Sequence, residues 1–188
     1  MPSGLAAMIL QLSCRPMMRN VKILSIVSLG KEDPDFREVI PPMEARRMGR
    51  LLKRALWCSV KALEKAQVKC PDAIITATDY GCMENSEFFL NGMLGFENAA
   101  MRPVHFMNST HNTIGSVVAI KLGCHGYNTT YSHPGRSLLS ALEDAAMQIG
   151  LGDIDTALVG WYDERTEKMD ASGLPGYERA IAVVLCSD

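Results

Sequence analysis

Apolar residues along this chain follow two alternating rhythms. Short runs rich in β-branched or aromatic residues cover Val21 to Leu29, Ala73 to Thr78, Tyr127 to Ser132, Thr156 to Gly160 and Ala180 to Cys186. Bounded by glycine, proline or charge, such runs predict strands. Between them, Met43, Arg47, Leu51, Ala55 and Val60 recur at helical spacing, predicting one long helix after Pro41-Pro42 that Pro71-Asp72 ends. Further helices are predicted over Glu84 to Met93, over Ile114 to Leu122 with Ser109-Thr110-His111-Asn112 as its cap, and over Arg136 to Ile149. Lys31 to Glu38, the stretch opened by Pro103 and the polar run Asp163 to Tyr177 are predicted loops. Strands alternating with helices predict an α/β layered domain built on a mixed, partly parallel sheet flanked by helices. Residues 21–188 are assigned to that domain and residues 1–20 to a disordered N-terminal extension.

Composition narrows the functional classes. A chain of 188 residues with 47% hydrophobic and 21% charged residues suits one globular domain. Nineteen basic and 21 acidic residues leave a net charge of -2, which gives no electrostatic reason to expect nucleic acid or an anionic membrane as partner. No apolar run approaches a membrane span. Gly4 to Leu12 is apolar, but its neighbouring basic residues, Arg15 and Arg19, follow it, the reverse of a signal peptide. The expected location is cytoplasmic. Cys14, Cys58, Cys70, Cys82, Cys124 and Cys186 are scattered without a CxxC pair, so a reduced protein is expected rather than a disulfide scaffold. The 12 methionines are read as adaptable core filling.

Most motif searches return nothing. No GxGxxG or GxxxxGK[ST] sequence is present, so no nucleotide cofactor is expected. His105, His111, His125 and His133 lack metal-ligand spacing, and no metal is expected. Cys82 follows a glycine at a strand end, the usual place for function in open α/β sheets, and is a candidate pocket residue or reactive thiol. Ser132 and His133 are adjacent, so on a strand they face opposite sides and do not form a nucleophile-base pair. Asp163-Glu164-Arg165 with Glu167-Lys168 reads as a solvated charge run.

The informative stretch is Gly126 to Gly160. It reads as a strand, a sharp bend at Ser132-His133-Pro134-Gly135-Arg136-Ser137, a helix, a Gly-Asp turn and another strand. Several acyl-transfer enzymes present a Ser or Cys on such a strand-elbow-helix unit. Together with Arg46 to Val68, Ala73 to Gly81, Met107-Asn108, Gly115 to Gly123, Gly152-Asp153-Ile154-Asp155 and Glu178 to Leu185, it resembles the N-terminal half of β-ketoacyl-acyl carrier protein synthases, which have the thiolase-like fold. The resemblance covers roughly Val21 to Asp188.

That resemblance locates the nucleophile's position and finds it vacant. The family's spacing forward from Gly126 and its spacing back from Asp155 both land on Gly135, which has no side chain to accept an acyl group. Glycine accepts the strained backbone of such an elbow while deleting its chemistry. No catalytic residue is therefore assigned. His111, Cys82, His133 and Pro134 are the candidate pocket residues. The family's catalytic histidines lie in its C-terminal half, which these 188 residues do not match. The resemblance implies a nucleophile-free, chain-length-factor-like subunit. It would pair with an active synthase as a heterodimer, or with itself as a homodimer, in acyl carrier protein-dependent fatty acid, polyketide or polyene pigment synthesis. Tyr127, Asn128, Thr129, Thr130, Tyr131 and Ser132 would form the dimer-edge strand. Acyl carrier protein is a further expected partner, and no cofactor is implied. The alternative is a small acyl-thioester hydrolase or acyltransferase using Cys82 or Ser132.

Overall fold

The computed structural model describes residues 19–95 and 103–188. Apart from Arg19 and Asn20, the expected N-terminal extension lies outside the described residues. The strands are β1 (Val21–Leu29), β2 (Ala73–Ala77), β3 (Tyr127–Tyr131), β4 (Thr156–Asp163) and β5 (Arg179–Ser187). They form one sheet in the order β1-β5-β4-β2-β3. β2 runs parallel to β3 and β4, while β5 is antiparallel to β4 and β1. The mixed sheet matches the expected architecture.

The helices are α1 (Pro42–Ala45), α2 (Arg50–Ala66), α3 (Met83–Leu94), α4 (Pro103–Asn108), α5 (Thr113–Leu122), α6 (Ser137–Leu151) and α7 (Glu167–Ala171). One sheet face is covered by α2 and α5. There Leu51, Ala55, Leu56, Cys58 and Ala62 interleave with Ile74, Leu158, Ala182 and Val184. The other face is covered by α6, whose Ala141, Leu142, Ala145 and Ile149 pack on Ile75, Val159, Val183 and Leu185. Two faces with alternating apolar rows explain why the strands read as continuous apolar runs.

Several boundaries correct the sequence reading. The long helix expected from Met43 is broken between Ala45 and Arg50, because Gly49 holds extended backbone ahead of α2. Its neighbours leave little room for a side chain, since a Cβ at Gly49 would lie 3.2 Å from the side chains of Glu84 and Asn85. The stretch after Pro103 forms the short helix α4 rather than a loop, with proline at a first helical position. The polar run from Asp163 is not simply exposed either. Asp163 is the last residue of β4 and is buried, and Thr166 caps α7 by accepting from the Met169 N–H, so Met169 can insert into the core. Asn112 gives α5 no side-chain cap.

The expectation of reduced cysteines is also corrected. Cys70 and Cys124 are joined, with their Cα atoms 5.8 Å apart. Cys70 stands before β2 and Cys124 before β3, so pairing of these parallel strands brings together residues 54 apart in sequence. Linear spacing does not reveal such a juxtaposition. Cys58, Cys82 and Cys186 are free and buried.

Candidate functional site

The bend between β3 and α6 follows from its sequence. Pro134 fixes φ near the value a type II turn needs at its second position, and Gly135 supplies the positive φ of the third, +78°. The Arg136 N–H closes the turn on the His133 carbonyl at 2.8 Å, and the Ser137 N–H reaches the same oxygen at 3.0 Å. Gly135 is exposed, and a Cβ built on it would meet nothing within 4 Å. The turn thus points an open position at the N-terminus of a 15-residue helix, where partial positive charge favours an anion. Gly135 itself offers no side chain at that position.

Behind the turn, polar groups fix its shape. The buried Ser137 Oγ lies 2.7 Å from Asp79 Oδ1 and 2.9 Å from the Thr78 carbonyl, and it accepts the His133 N–H at 2.9 Å. The same loop is held from β4. Asp163 Oδ1 accepts from Thr78 Oγ1 at 2.8 Å, from the Asp79 N–H at 2.8 Å and from the Tyr80 N–H at 3.2 Å. Thr78 Oγ1 in turn accepts the Gly81 N–H at 2.8 Å. Burial pushes the Asp163 carboxyl up, opposed by these three donors. Sequence reasoning passed over Ser137, Thr78 and Asp163. Asp163 was read into a solvated run, and only its place directly after an apolar strand offered a signal.

A cleft of about 400 Å³ opens next to this network, between α2, α3 and the segment after β4. Arg50, Arg54, Glu84, Phe88, Glu164 and Lys168 are among its lining residues. Glu164 accepts the Glu84 N–H at 2.8 Å and so satisfies one orphan donor at the start of α3. Burial, reinforced by Glu84 and Glu87, pushes the Glu164 carboxyl up to about 7. Arg54 is almost wholly buried and bonds Asp33 at 2.5 Å, while Arg50 pairs with Asp33 and Glu178. This cleft holds a group able to exchange a proton near neutrality. Among the described lining residues the one side-chain hydroxyl, that of Thr166, is committed to Glu87.

The expected pocket residues separate. His133 and Pro134 belong to the exposed turn. Cys82 is 1% exposed within the α2–α5 core, and desolvation pushes its thiol up to about 12, which disfavours the thiolate a nucleophile requires. His111 is exposed and covers Gly81, whose added Cβ would meet its ring at 3.2 Å. Among the described residues, no three histidine, cysteine or acidic side chains are grouped to hold a metal ion.

β3 forms one edge of the sheet. Its Tyr127 N–H bonds the Asp72 carbonyl, and its Tyr131 carbonyl accepts from Thr78. Tyr127, Thr129 and Tyr131 therefore commit their backbone groups to β2, while Asn128 and Thr130 point theirs outward. Thr130 Oγ1 pairs with Thr76 Oγ1 at 2.7 Å, and the Asn128 amide donates to the Gly115 carbonyl at 3.1 Å. This edge is paired on one side and aromatic at both ends.

A five-stranded mixed sheet with an elbow at the N-terminus of the helix covering one face is the architecture of the N-terminal half of the thiolase-like fold. Residues 25–174 match the model of the beta-ketoacyl synthase N-terminal domain, and the chain belongs to that family. Among solved structures, it resembles a chain in a complex of a ketosynthase with its chain length factor from Xenorhabdus doucetiae. The TM-score is 0.74 at 18% identity, covering 89% of this chain and 79% of that one. The ishigamide ketosynthase/chain length factor gives a TM-score of 0.66 at 20% identity, covering 82% of this chain and 48% of that one. A type II PKS acyl-carrier protein in complex with its ketosynthase gives 0.72 at 14% identity, covering 91% and 63%. The chain thus spans less than two thirds of the length of the last two. No curated protein matches the sequence.

Proposed function

We propose that this chain is a nucleophile-free ketosynthase-like subunit that works beside an active synthase in acyl carrier protein-dependent polyketide or related acyl-chain synthesis. The observation that carries the reading is Gly135, an open, positive-φ glycine on the turn where the family places its nucleophile. The fold relatives support it, because their descriptions pair a ketosynthase with a chain length factor or a carrier protein. The outward backbone groups of Asn128 and Thr130 supply the means of pairing, since an unpaired strand edge templates association. Two partners would join their β3 edges into one continuous sheet.

The test is affinity purification from native cells with identification of co-eluting proteins, repeated with Thr130→Pro. Proline there removes an outward N–H and leaves the ladder to β2 intact. A cysteine-containing ketosynthase near equal stoichiometry, lost in the variant, is the expected result. A chain that elutes alone, or a variant that retains its partner, overturns the reading. Incubation with malonyl or acyl thioesters is expected to add no mass to the purified chain.

A further inference from the structure

We infer that Arg179, clamped between Trp161 and Tyr177, is a binding site for an oxyanion. Arg179 opens β5, with its guanidinium carbon 3.8 Å from the centroid of the Trp161 ring and 4.0 Å from that of Tyr177. Both rings thus lie at van der Waals distance from the guanidinium, one from β4 and one from the segment before β5. Stacking holds the guanidinium in place and leaves its N–H groups directed outward in the plane.

Those N–H groups have no hydrogen-bonding or ionic partner among the described residues, as is also true of Arg46, Arg47 and Arg136, whereas Arg19, Arg37, Arg50, Arg54 and Arg165 each hold a carboxylate. Of the four, only Arg179 is stacked on two aromatic rings. An acid does stand opposite Arg179, because Asp163 is its register partner on β4. Asp163 turns instead to Thr78, Asp79 and Tyr80. The carboxylate opposite Arg179 is therefore engaged elsewhere. The Trp161 indole N–H is itself buried without an acceptor. Unsatisfied planar donors of one sign are what a carboxylate or phosphate complements through paired hydrogen bonds.

Position gives the site a use. Trp161 is level with Ala77, and Ala77 with Tyr131, across two strand spacings. The clamp thus lies about 10 Å from the last residue of β3, on the sheet face that α6 covers. An anion held there stands on the same rim as the Pro134-Gly135 turn. The site is independent of the subunit pairing proposed above and survives its failure.

The experiment is a titration of the whole chain, labelled with nitrogen-15, following the Arg179 side-chain and Trp161 indole resonances. The probes are inorganic phosphate and acetate, with sodium chloride at matched ionic strength as the control. Saturable shifts of the Arg179 signal with either probe, absent with chloride, are expected. Tighter phosphate binding assigns a phosphate-bearing ligand, and equal or tighter acetate binding assigns a carboxylate. Arg179→Lys, which keeps charge but loses the planar fork, is expected to weaken binding about tenfold or more. Tyr177→Ala removes one exposed wall without touching the core and is expected to weaken it about threefold. Overturning results are shifts that rise linearly and equally with all three salts, or affinities unchanged in both variants.

Discussion

Two neighbouring places at the carboxyl ends of the parallel strands, the Pro134-Gly135 turn and the Glu164 cleft, divide the attributes of an active site between them. The turn has presentation: a helix N-terminus, an open position and a rigid polar support. Its open position, Gly135, has no side chain. The cleft has a reactive carboxyl poised near neutrality but no free nucleophile beside it. Adjacent residues anchor the two, Asp163 reaching the loop behind the turn and Glu164 the start of α3. The difference teaches that presentation and proton exchange are built at separate places here, each held by its own hydrogen bonds. The support under the turn depends on hydrogen bonds that remain whether or not position 135 carries a thiol.

The largest effect should come from cutting the shared anchor. Asp163→Ala leaves a buried hydroxyl and two backbone N–H groups without their acceptor, and is expected to lower stability by about 3 kcal/mol in urea unfolding. Exchange of the Asp79 and Tyr80 amides should rise with it. Protection unchanged at those amides would show that the turn does not hang on Asp163.

Glu164→Gln sharpens the comparison on the cleft side. In the unfolded chain Glu164 loses its proton near its ordinary 4.5, but in the folded chain only near about 7. Its contribution therefore favours folding below 4.5 and is lost as pH rises to about 7. The Gln variant, whose amide oxygen still accepts from Glu84, is expected to exceed the parent by about 2 kcal/mol at about pH 8 and to match it near pH 4.5. Asp163, shifted in the same sense, keeps some pH dependence in the variant. Parallel stability curves would contradict the assignment.

Smaller effects are expected at the turn. Gly135→Ala places a Cβ at φ +78°, with no steric contact to aggravate it, and should lower stability by about 1 kcal/mol. Gly135→Cys should label rapidly with a thiol reagent in the folded protein, while Cys82 labels only on unfolding. Rapid labelling of Cys82 in the native parent would reverse that contrast.

Local chemistry made much of this legible in advance. The Pro134-Gly135 pair dictates its own turn, the β-branched runs dictate strands, and glycine at position 135 carries no side chain whatever surrounds it. These features depend on φ preference and on apolar period, which are properties of neighbouring residues. Gly49 cut the predicted long helix because its backbone meets α3, a partner far along the chain. The sequence pattern likewise placed Asp163 in solvent, gave no sign of Cys70 meeting Cys124, and said nothing of an arginine stacked between Trp161 and Tyr177. Each of those was decided by strand order and register, because burial, donors and ring faces come from β2, β4 and β5 together. The sequence determined what the elbow is and what it lacks. Tertiary structure decided which acids are desolvated and which arginine is stacked between aromatic rings, since both depend on what packs against them.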